Sequence, residues 1–355
     1  MGKTFNGRRF GIARKRRLLN KRKLADLLGV SEYTVMRYEA GKTIPADDTI
    51  LVLGKTLGFP VEFFFGDDVD EPLADAASFR SQTSMTAGVR DAALAAGSIG
   101  FLISDYVEAR FDLPKIAVPN LEFYSPEEAS RVLRQDWALG ERAISNMIHL
   151  LESKGVRVFS LAENSLKVNA FSLWREGKPY IFLNTMKSPE SSRFDAAHEL
   201  GHLVLHQDGK PRGREAEDEA NRFASCFLMP EADILAQIPY VHSLNQIIEQ
   251  KARWKVSVAA LNYRLRKLGV TTEWQNRNFC IQIAERGFNK NEPFPIEREM
   301  SVVWDKVLKS LWADRITRTE IARDLNLPPS EVDSMIFGVL GNSTPRPEAR
   351  KLSAI

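Results

Sequence analysis

The stretch FDAAHELGHLVLH, Phe194–His206, holds three of the five histidines in this chain. His198 and His202 stand four residues apart, so a helix places both imidazoles on one face. Two imidazoles at this spacing can hold one metal ion, with Glu199 beside it as a general base. The residues around the pair are mostly apolar, where unpartnered imidazoles would be costly. The stretch therefore favours a metal site over a helix with incidental surface histidines.

A catalytic zinc site needs a third protein ligand and one open position for water. The stretch REAEDEANRFA, 214–224, predicts a helix in which Glu217 and Glu219 flank an apolar stripe on opposite sides. Periodicity alone does not choose between these two glutamates. Glu217 has Asn221 one turn later, which is placed to orient a ligating histidine from behind. His206 is the rival ligand, but a HExxH site usually takes its third ligand from outside its own helix, so His206 is expected to play a supporting role.

Four motifs, in the order in which they occur, resemble the ImmA/IrrE family of metallopeptidases: PYIFLNT, SSRFDAAHELGHLVLH, EDEANRFASCFLMP and WKVSVAALNYRLRKLG. The resemblance covers roughly residues 140–270. It implies a gluzincin-like zinc endopeptidase in which Glu217 is the third ligand and Asn221 supports a histidine. It also implies that a substrate peptide lies along a strand edge formed by Tyr180, Ile181 and Phe182. A His/His/Glu set accepts Mn²⁺ or Fe²⁺ as well as Zn²⁺.

The chemistry expected of such a site is metal-assisted hydrolysis of a peptide bond. Zinc lowers the pKa of water to about 7 and polarises the scissile carbonyl. Glu199 takes the proton and passes it to the leaving amine. The residue that stabilises the oxyanion stays open among four candidates, namely Tyr180, His206, Tyr240 and His242.

Charge is distributed unevenly along the chain. Residues 1–66 carry thirteen Lys/Arg and six Asp/Glu, a balance of +7, although the whole chain has a net charge of only +3. The first twenty-five residues contain ten basic groups and no acidic one. A basic N-terminal region on a mildly acidic body indicates a local site for a polyanion, although a solvated helix face would show the same pattern.

The stretch LNKRKLADLLGVSEYTVMRYEAGKTIP, 19–45, predicts two short helices joined at a tight turn. Gly29 is expected to end the first helix and Ser31 to cap the second. Val35 and Tyr38 are expected to face inward, and the side chains left on the outer face are those of Glu32, Tyr33, Thr34 and Arg37.

This stretch resembles the XRE (Cro/CI-like) helix-turn-helix, over roughly residues 8–65. The resemblance implies a homodimer on a double-stranded DNA operator, with the second helix in the major groove. The implied DNA-contacting residues are Lys21, Glu32, Tyr33, Thr34, Arg37 and Lys42. The family usually has Gln where Lys21 stands, so Lys21 is expected to contact phosphate rather than a base. Arg14 and Glu39 match the family's internal ion pair.

The chain as a whole is expected to be multidomain and mainly α-helical, with a small α+β peptidase core. A capping box is predicted at Ser125 and Glu128, and two strands are predicted on either side of the turn REGKP. The expected regions are a helix-turn-helix domain at 1–66, an acidic linker and helical connector at 67–124, a peptidase domain at 125–270, and a mixed or helical C-terminal region of unknown role at 271–355.

The cysteines and the hydropathy indicate the compartment. Cys226 and Cys280 form neither a metal-type nor a disulfide-framework spacing, which is typical of a reducing environment. No run of eighteen apolar residues occurs, so no membrane span is predicted. A cytoplasmic protein is therefore expected.

Three functional hypotheses follow. The leading one is a transcriptional regulator whose zinc endopeptidase cleaves a repressor or antitoxin-like partner, or its own chain, in a stress, phage-defence or mobile-element response. The second is a DNA-binding repressor or antitoxin whose metallopeptidase fold only binds a peptide or senses metal, without turnover. The third is a plain cytoplasmic peptidase whose basic domain binds a protein, and a salt-dependent gel shift would distinguish it.

Overall fold

The computed structural model describes residues 4–72, 78–79, 86–161, 170–207, 213–336 and 340. Within these residues the chain is mainly helical with one small sheet, as the sequence predicts. Parts of the expected linker, at 73–77 and 80–85, and the residues from 341 onward lie outside the described residues.

The N-terminal part folds into short helices that follow the predicted pattern. Gly29 ends α2 in the left-handed conformation, with φ 65°, and Ser31 caps α3 by accepting from the amide of Thr34 at 3.1 Å. Val35 and Tyr38 are buried as expected. The elements are α1 (Gly7–Arg16), α2 (Lys21–Leu28), α3 (Glu32–Glu39), α4 (Asp47–Leu57) and a 3-10 helix (Val61–Phe65).

One sheet of four strands lies in the middle of the chain, in the order β1-β3-β4-β2. β4 pairs antiparallel with β3 and parallel with β2, so it is an interior strand. Opposite residues in the β3–β4 hairpin share a face, and Ser172 pairs with Ile181 while Phe171 pairs with Phe182. The strands are β1 (Ser78–Phe79), β2 (Arg157–Ser160), β3 (Ala170–Arg175) and β4 (Lys178–Leu183).

Helix α5 (Ala87–Glu108) covers one face of this sheet. The rings of Phe101 and Tyr180 are 4.9 Å apart, and a Cβ at Gly100 would lie 2.6 Å from Cε1 of Phe182. Glycine at position 100 therefore lets the helix approach the sheet closely. Among the described residues α5 alone is long and apolar enough to cross a membrane, but 61% of its apolar window is buried inside the protein. Its packing is that of a core helix.

The opposite face of the sheet is covered by α8 (Pro189–Leu205), and α9 (Arg214–Leu228) packs on α8. A Cβ at Gly201 would lie 3.0 Å from Cδ1 of Phe223 and 3.2 Å from Cα of Ala220. The glycine inside the HExxH motif is therefore explained by the close approach of α9. Helix α6 (Pro126–Asp136) supports α9 from outside and begins with the predicted capping box of Ser125 and Glu128.

The remaining helices surround this core. Lys251 of α11 is buried between two carboxylates, with its Nζ 3.4 Å from Oε1 of Glu190 and 3.2 Å from Oε1 of Glu292. This cluster ties the beginning of α8 to the segment after α13. The helices are α7 (Met147–Ser153), α10 (Glu231–Gln237), α11 (Leu244–Trp254), α12 (Val258–Lys267), α13 (Glu273–Glu285), α14 (Val302–Ala313), α15 (Arg318–Asp324) and α16 (Pro329–Ile336).

Helix α1 is held against the body of the protein by α5 and α16. Glu331 of α16 accepts hydrogen bonds from Nε of Arg16 at 3.0 Å and from Nη1 of Arg17 at 2.6 Å. The carboxylate is buried, and Arg16 also donates to the carbonyl of Ala92 in α5. Because a buried carboxylate is costly without partners, this contact holds the two parts of the chain together in one arrangement.

Candidate metal centre

His198, His202 and Glu217 meet where α8 crosses α9. Each offers one ligand atom, and these atoms all lie within 4.8 Å of one another. The two Nε2 atoms approach to 3.1 Å, and the Glu217 carboxylate oxygens lie 3.4 Å from Nε2 of His198 and 3.5 Å from Nε2 of His202. The histidines are buried and Glu217 is half-buried. Both helices therefore contribute to one cluster, as the motif spacing predicts.

Asn221 lies behind His198. Nδ1 of His198 is 3.1 Å from Oδ1 of Asn221. Since an amide oxygen only accepts, the ring carries its proton on Nδ1 and its lone pair on Nε2, the atom that faces Glu217. Asn221 is four residues after Glu217, so one helix supplies both the carboxylate and the group that orients the histidine.

His206 forms a separate chain of contacts with Glu219. Nδ1 of His202 is 2.9 Å from Nδ1 of His206, and Nε2 of His206 is 3.0 Å from Oε2 of Glu219. Burial lowers the pKa of His206, against the opposing effect of Glu219. The alternatives left open by periodicity are separated in space, because Glu217 faces the two motif histidines whereas Glu219 supports His206.

The side chain of Glu199 contacts strand β3. Its carboxylate is fully buried, and Oγ of Ser172 donates to its Oε2 at 2.7 Å and also lies 3.2 Å from its main-chain oxygen. Ser172 therefore fixes the carboxylate of the residue that follows His198 in the chain. Sequence reasoning missed Ser172, and the only available signal was its polar side chain on a buried strand.

The expected substrate edge at Tyr180, Ile181 and Phe182 is wrong. These residues lie on β4, whose two edges are already paired with β2 and β3. An added peptide needs unpaired main-chain groups, which an interior strand does not offer. Tyr180 is also excluded as the oxyanion-stabilising group, because its side chain faces α5 and its hydroxyl donates to Ser104. The rings of Tyr240 and His242 contact each other between α10 and α11, with centroids 4.9 Å apart and planes inclined by 44°.

The residues present suit a divalent metal ion. Two imidazole nitrogens and one carboxylate form the donor set of a three-ligand zinc site with one open position. Oε2 of Glu217 is buried without a hydrogen-bond partner, which an ion between the three groups would satisfy. Burial alone would raise the pKa of Glu217, but the adjacent imidazoles of His198 and His202 outweigh it and lower the pKa to about 2. The carboxylate is therefore negatively charged at neutral pH, as a ligand must be.

The predicted DNA-contacting residues lie on and around α3. Glu32, Tyr33 and Lys42 are exposed, and Thr34 is half-exposed. Arg37 is engaged within the protein, because its Nε donates to Oγ1 of Thr43 at 2.7 Å. Lys21 lies 3.3 Å from Glu39, which also accepts from Arg14 at 2.5 Å. The expected Arg14–Glu39 pair is thus present, and Lys21 shares its carboxylate.

Family models match the two motif regions. A helix-turn-helix model matches residues 12–64, and a peptidase model described as the IrrE N-terminal-like domain matches residues 151–266. The chain joins a helix-turn-helix domain to an IrrE-like peptidase domain. The second match supports an enzyme of metallopeptidase type. No curated protein matches the chain.

An open cleft of about 790 Å³ lies next to Asn221, the residue that supports His198. It is lined by Phe194 and Asp195, one turn before His198, and by Asn221 and Tyr263. Asp195 pairs with Lys187 across the rim at 2.7 Å. Asn221 contacts Nδ1 of His198, so the cleft lies behind this ring, and His198, His202 and Glu217 are not among the residues that line it.

Proposed function

We propose that the protein is a DNA-binding transcription regulator that carries a metal-dependent endopeptidase. Its substrate is a regulatory protein, a repressor or antitoxin-like partner or the chain itself, in a stress, phage-defence or mobile-element response. The observation that carries this proposal is the convergence of His198, His202 and Glu217 beside Glu199, in a chain that also has a helix-turn-helix domain.

His198, His202 and Glu217 would hold the ion, which we propose is Zn²⁺, although Mn²⁺ and Fe²⁺ also suit this donor set. When bound, such an ion supplies Lewis-acid chemistry: it polarises the scissile carbonyl and lowers the pKa of water. Asn221 orients His198, and His206 with Glu219 orients His202. Supporting contacts of this kind typically change metal affinity by about 10- to 100-fold.

Glu199 is the proposed general base. Its buried carboxylate accepts a proton from the attacking water and delivers it to the amine nitrogen as the C–N bond breaks. Ser172 holds one oxygen at 2.7 Å and thereby fixes the direction of the other. The peptide bond is replaced by a carboxyl group and an amine, so no co-reactant other than water is needed.

The proteolytic half of the proposal is tested by a trap variant. Glu199→Gln keeps the shape of the side chain but cannot accept the proton, so a bound partner should stay intact and co-purify. We expect quantitative mass spectrometry of material purified from cells to show one intact regulatory protein enriched with Glu199→Gln, and its fragments with the wild type. Glu215→Gln is the matched control, because it makes the same change on an exposed residue of α9. Identical fragments with both variants would contradict the role of Glu199.

The DNA-binding half is tested by salt dependence. We expect the full chain to bind a duplex enriched by in vitro selection, with log affinity falling linearly against log salt concentration. Lys42→Ala, at an exposed position after α3, should reduce this slope by roughly one, since each phosphate contact contributes about 0.9. Lys55→Ala, at an exposed position of α4 after residues 19–45, should leave the slope unchanged. No retarded band at low salt, with any selected duplex, would reject operator binding.

A further inference from the structure

The outer edge of β3 runs beside the metal centre. Ser172, in the middle of β3, contacts Glu199 directly. One edge of β3 is paired with β4, and in the described part of the chain the other edge is paired with β1. An extended peptide added to this outer edge would therefore lie next to the carboxylate proposed as the general base. Main-chain pairing of this kind holds a peptide largely independently of its side chains.

Strand β1 already takes this position. Its two residues pair antiparallel with β3, Ser78 opposite Ser172 and Phe79 opposite Phe171. β1 lies in the segment that connects the helix-turn-helix domain to the peptidase domain. Ser172 contacts Glu199, and the residue that pairs with Ser172 on the outer edge is Ser78 of the same molecule.

Residues 69–72, which precede β1 along the chain, are docked against β3 and α5. Asp70 accepts from Nε of Arg175, the last residue of β3, at 2.7 Å. Pro72 is buried on α5, where a Cβ at Gly97 would lie 2.8 Å from its Cγ. Val69 is buried as well. Asp70 thus contacts the last residue of β3, whereas Ser78 and Phe79 pair with the earlier residues Ser172 and Phe171. The chain therefore runs antiparallel to β3.

We propose that the outer edge of β3 is the peptide-binding edge of the metal centre and that the chain's own strand β1 (Ser78–Phe79) occupies it. This inference rests on the proposed function, since it concerns the same centre. A partner peptide has to displace β1 before it reaches Glu199. Because β1 is tethered, its effective concentration at the edge is high, on the order of millimolar for a short linker, and it competes with any free peptide.

The test uses a probe of known sequence and the metal-free full chain. The probe is a fluorescein-labelled peptide of residues 74–83, ADAASFRSQT. The variant Ser78→Pro/Phe79→Pro removes both β1 amide hydrogens and so cannot pair with β3. We expect fluorescence anisotropy to give about tenfold or greater affinity of this variant for the probe than of the wild type. Ser78→Ala/Phe79→Ala keeps both amides, and it should bind the probe no more than about twofold better than the wild type.

Hydrogen exchange locates the effect. The amides of residues 170–175 that face β1 should exchange faster in the proline variant than in the wild type and the alanine variant, and the probe should restore their protection. Asp70→Ala, which loosens the docked segment without touching β1, should give a smaller increase in probe affinity, about threefold. These readouts need neither metal nor turnover. A chain that never cleaves a partner but shows these differences would overturn the proposed activity and keep this inference, whereas equal affinity and equal exchange in the proline variant would overturn the inference alone.

Discussion

Replacing Glu217 by alanine is expected to weaken zinc binding by about 100-fold or more, while Glu219→Ala weakens it by only about tenfold. The two residues stand two positions apart on α9, but only Glu217 directs its carboxylate at Nε2 of both motif histidines. Three ligands that share an apparent binding free energy of about 10 kcal/mol contribute about 3 kcal/mol each, which corresponds to that factor. Glu219 acts through His206 and His202.

The measurement is competition for zinc between the full chain and a chromophoric chelator at fixed pH. Glu215→Ala, exposed on the same helix, should leave the affinity unchanged and controls for the loss of one negative charge. A loss with Glu219→Ala as large as with Glu217→Ala would mean that the third ligand has been assigned to the wrong residue. Circular dichroism of each variant without metal verifies that α9 is intact.

The second large effect is expected on stability. Lys251→Met should lower the free energy of unfolding by about 3–5 kcal/mol, because it leaves two carboxylates buried without their cation. The Lys251 side chain is 1% exposed, and its Nζ lies within 3.4 Å of Glu190 and within 3.2 Å of Glu292. Urea unfolding followed by circular dichroism measures the change. Lys309→Met, at a pair whose lysine is 72% exposed, should change stability by no more than about 0.5 kcal/mol.

The pH dependence of this loss has a definite sign. Burial raises the pKa of Glu292 even in the presence of Lys251, and removal of the cation raises it further. A carboxyl whose folded-state pKa lies above its unfolded value binds more protons in the folded protein, so the variant regains stability relative to the wild type as the pH falls. The triple variant Lys251→Met/Glu190→Gln/Glu292→Gln should recover most of the loss at neutral pH. Its amide oxygens can still accept from the backbone at Ile296 and Val258. An unchanged unfolding midpoint in Lys251→Met would contradict this account.

Much of the site can be predicted from the sequence because its residues lie on helices, where the spacing of residues determines which side chains share a face. The four-residue interval of His198 and His202 predicted their convergence, and the interval from Glu217 to Asn221 predicted the contact with His198. The choice between Glu217 and Glu219 needed the position of His206, which depends on how α8 crosses α9. The order of strands in a sheet cannot be predicted from local sequence. The sequence therefore predicts β4 as the peptide-binding edge, although β4 is an interior strand.

A count of basic residues in the N-terminal region overestimates the positive charge that is available to bind DNA. Ten basic residues precede Asp26, but many are paired within the protein. Lys15 pairs with Glu71, Lys21 with Glu39, and Arg16 and Arg17 with Glu331. A large part of the positive balance therefore holds the structure together, and the field left for DNA depends on exposed groups such as Lys42. Partners tens to hundreds of residues away cannot be inferred from a local charge balance.

The contact of α1 with α16 has a consequence for synthesis. Arg16 and Glu331 are 315 residues apart, and ribosomes add about 5–20 residues per second. Roughly 15 to 60 s therefore separate the two residues during translation. Throughout that interval the nascent helix-turn-helix domain lacks the Glu331 carboxylate that offsets the charge of Arg16 and Arg17. The nascent chain therefore presents a more basic surface than the completed protein. Polyanions, including its own messenger RNA, meet this surface during translation.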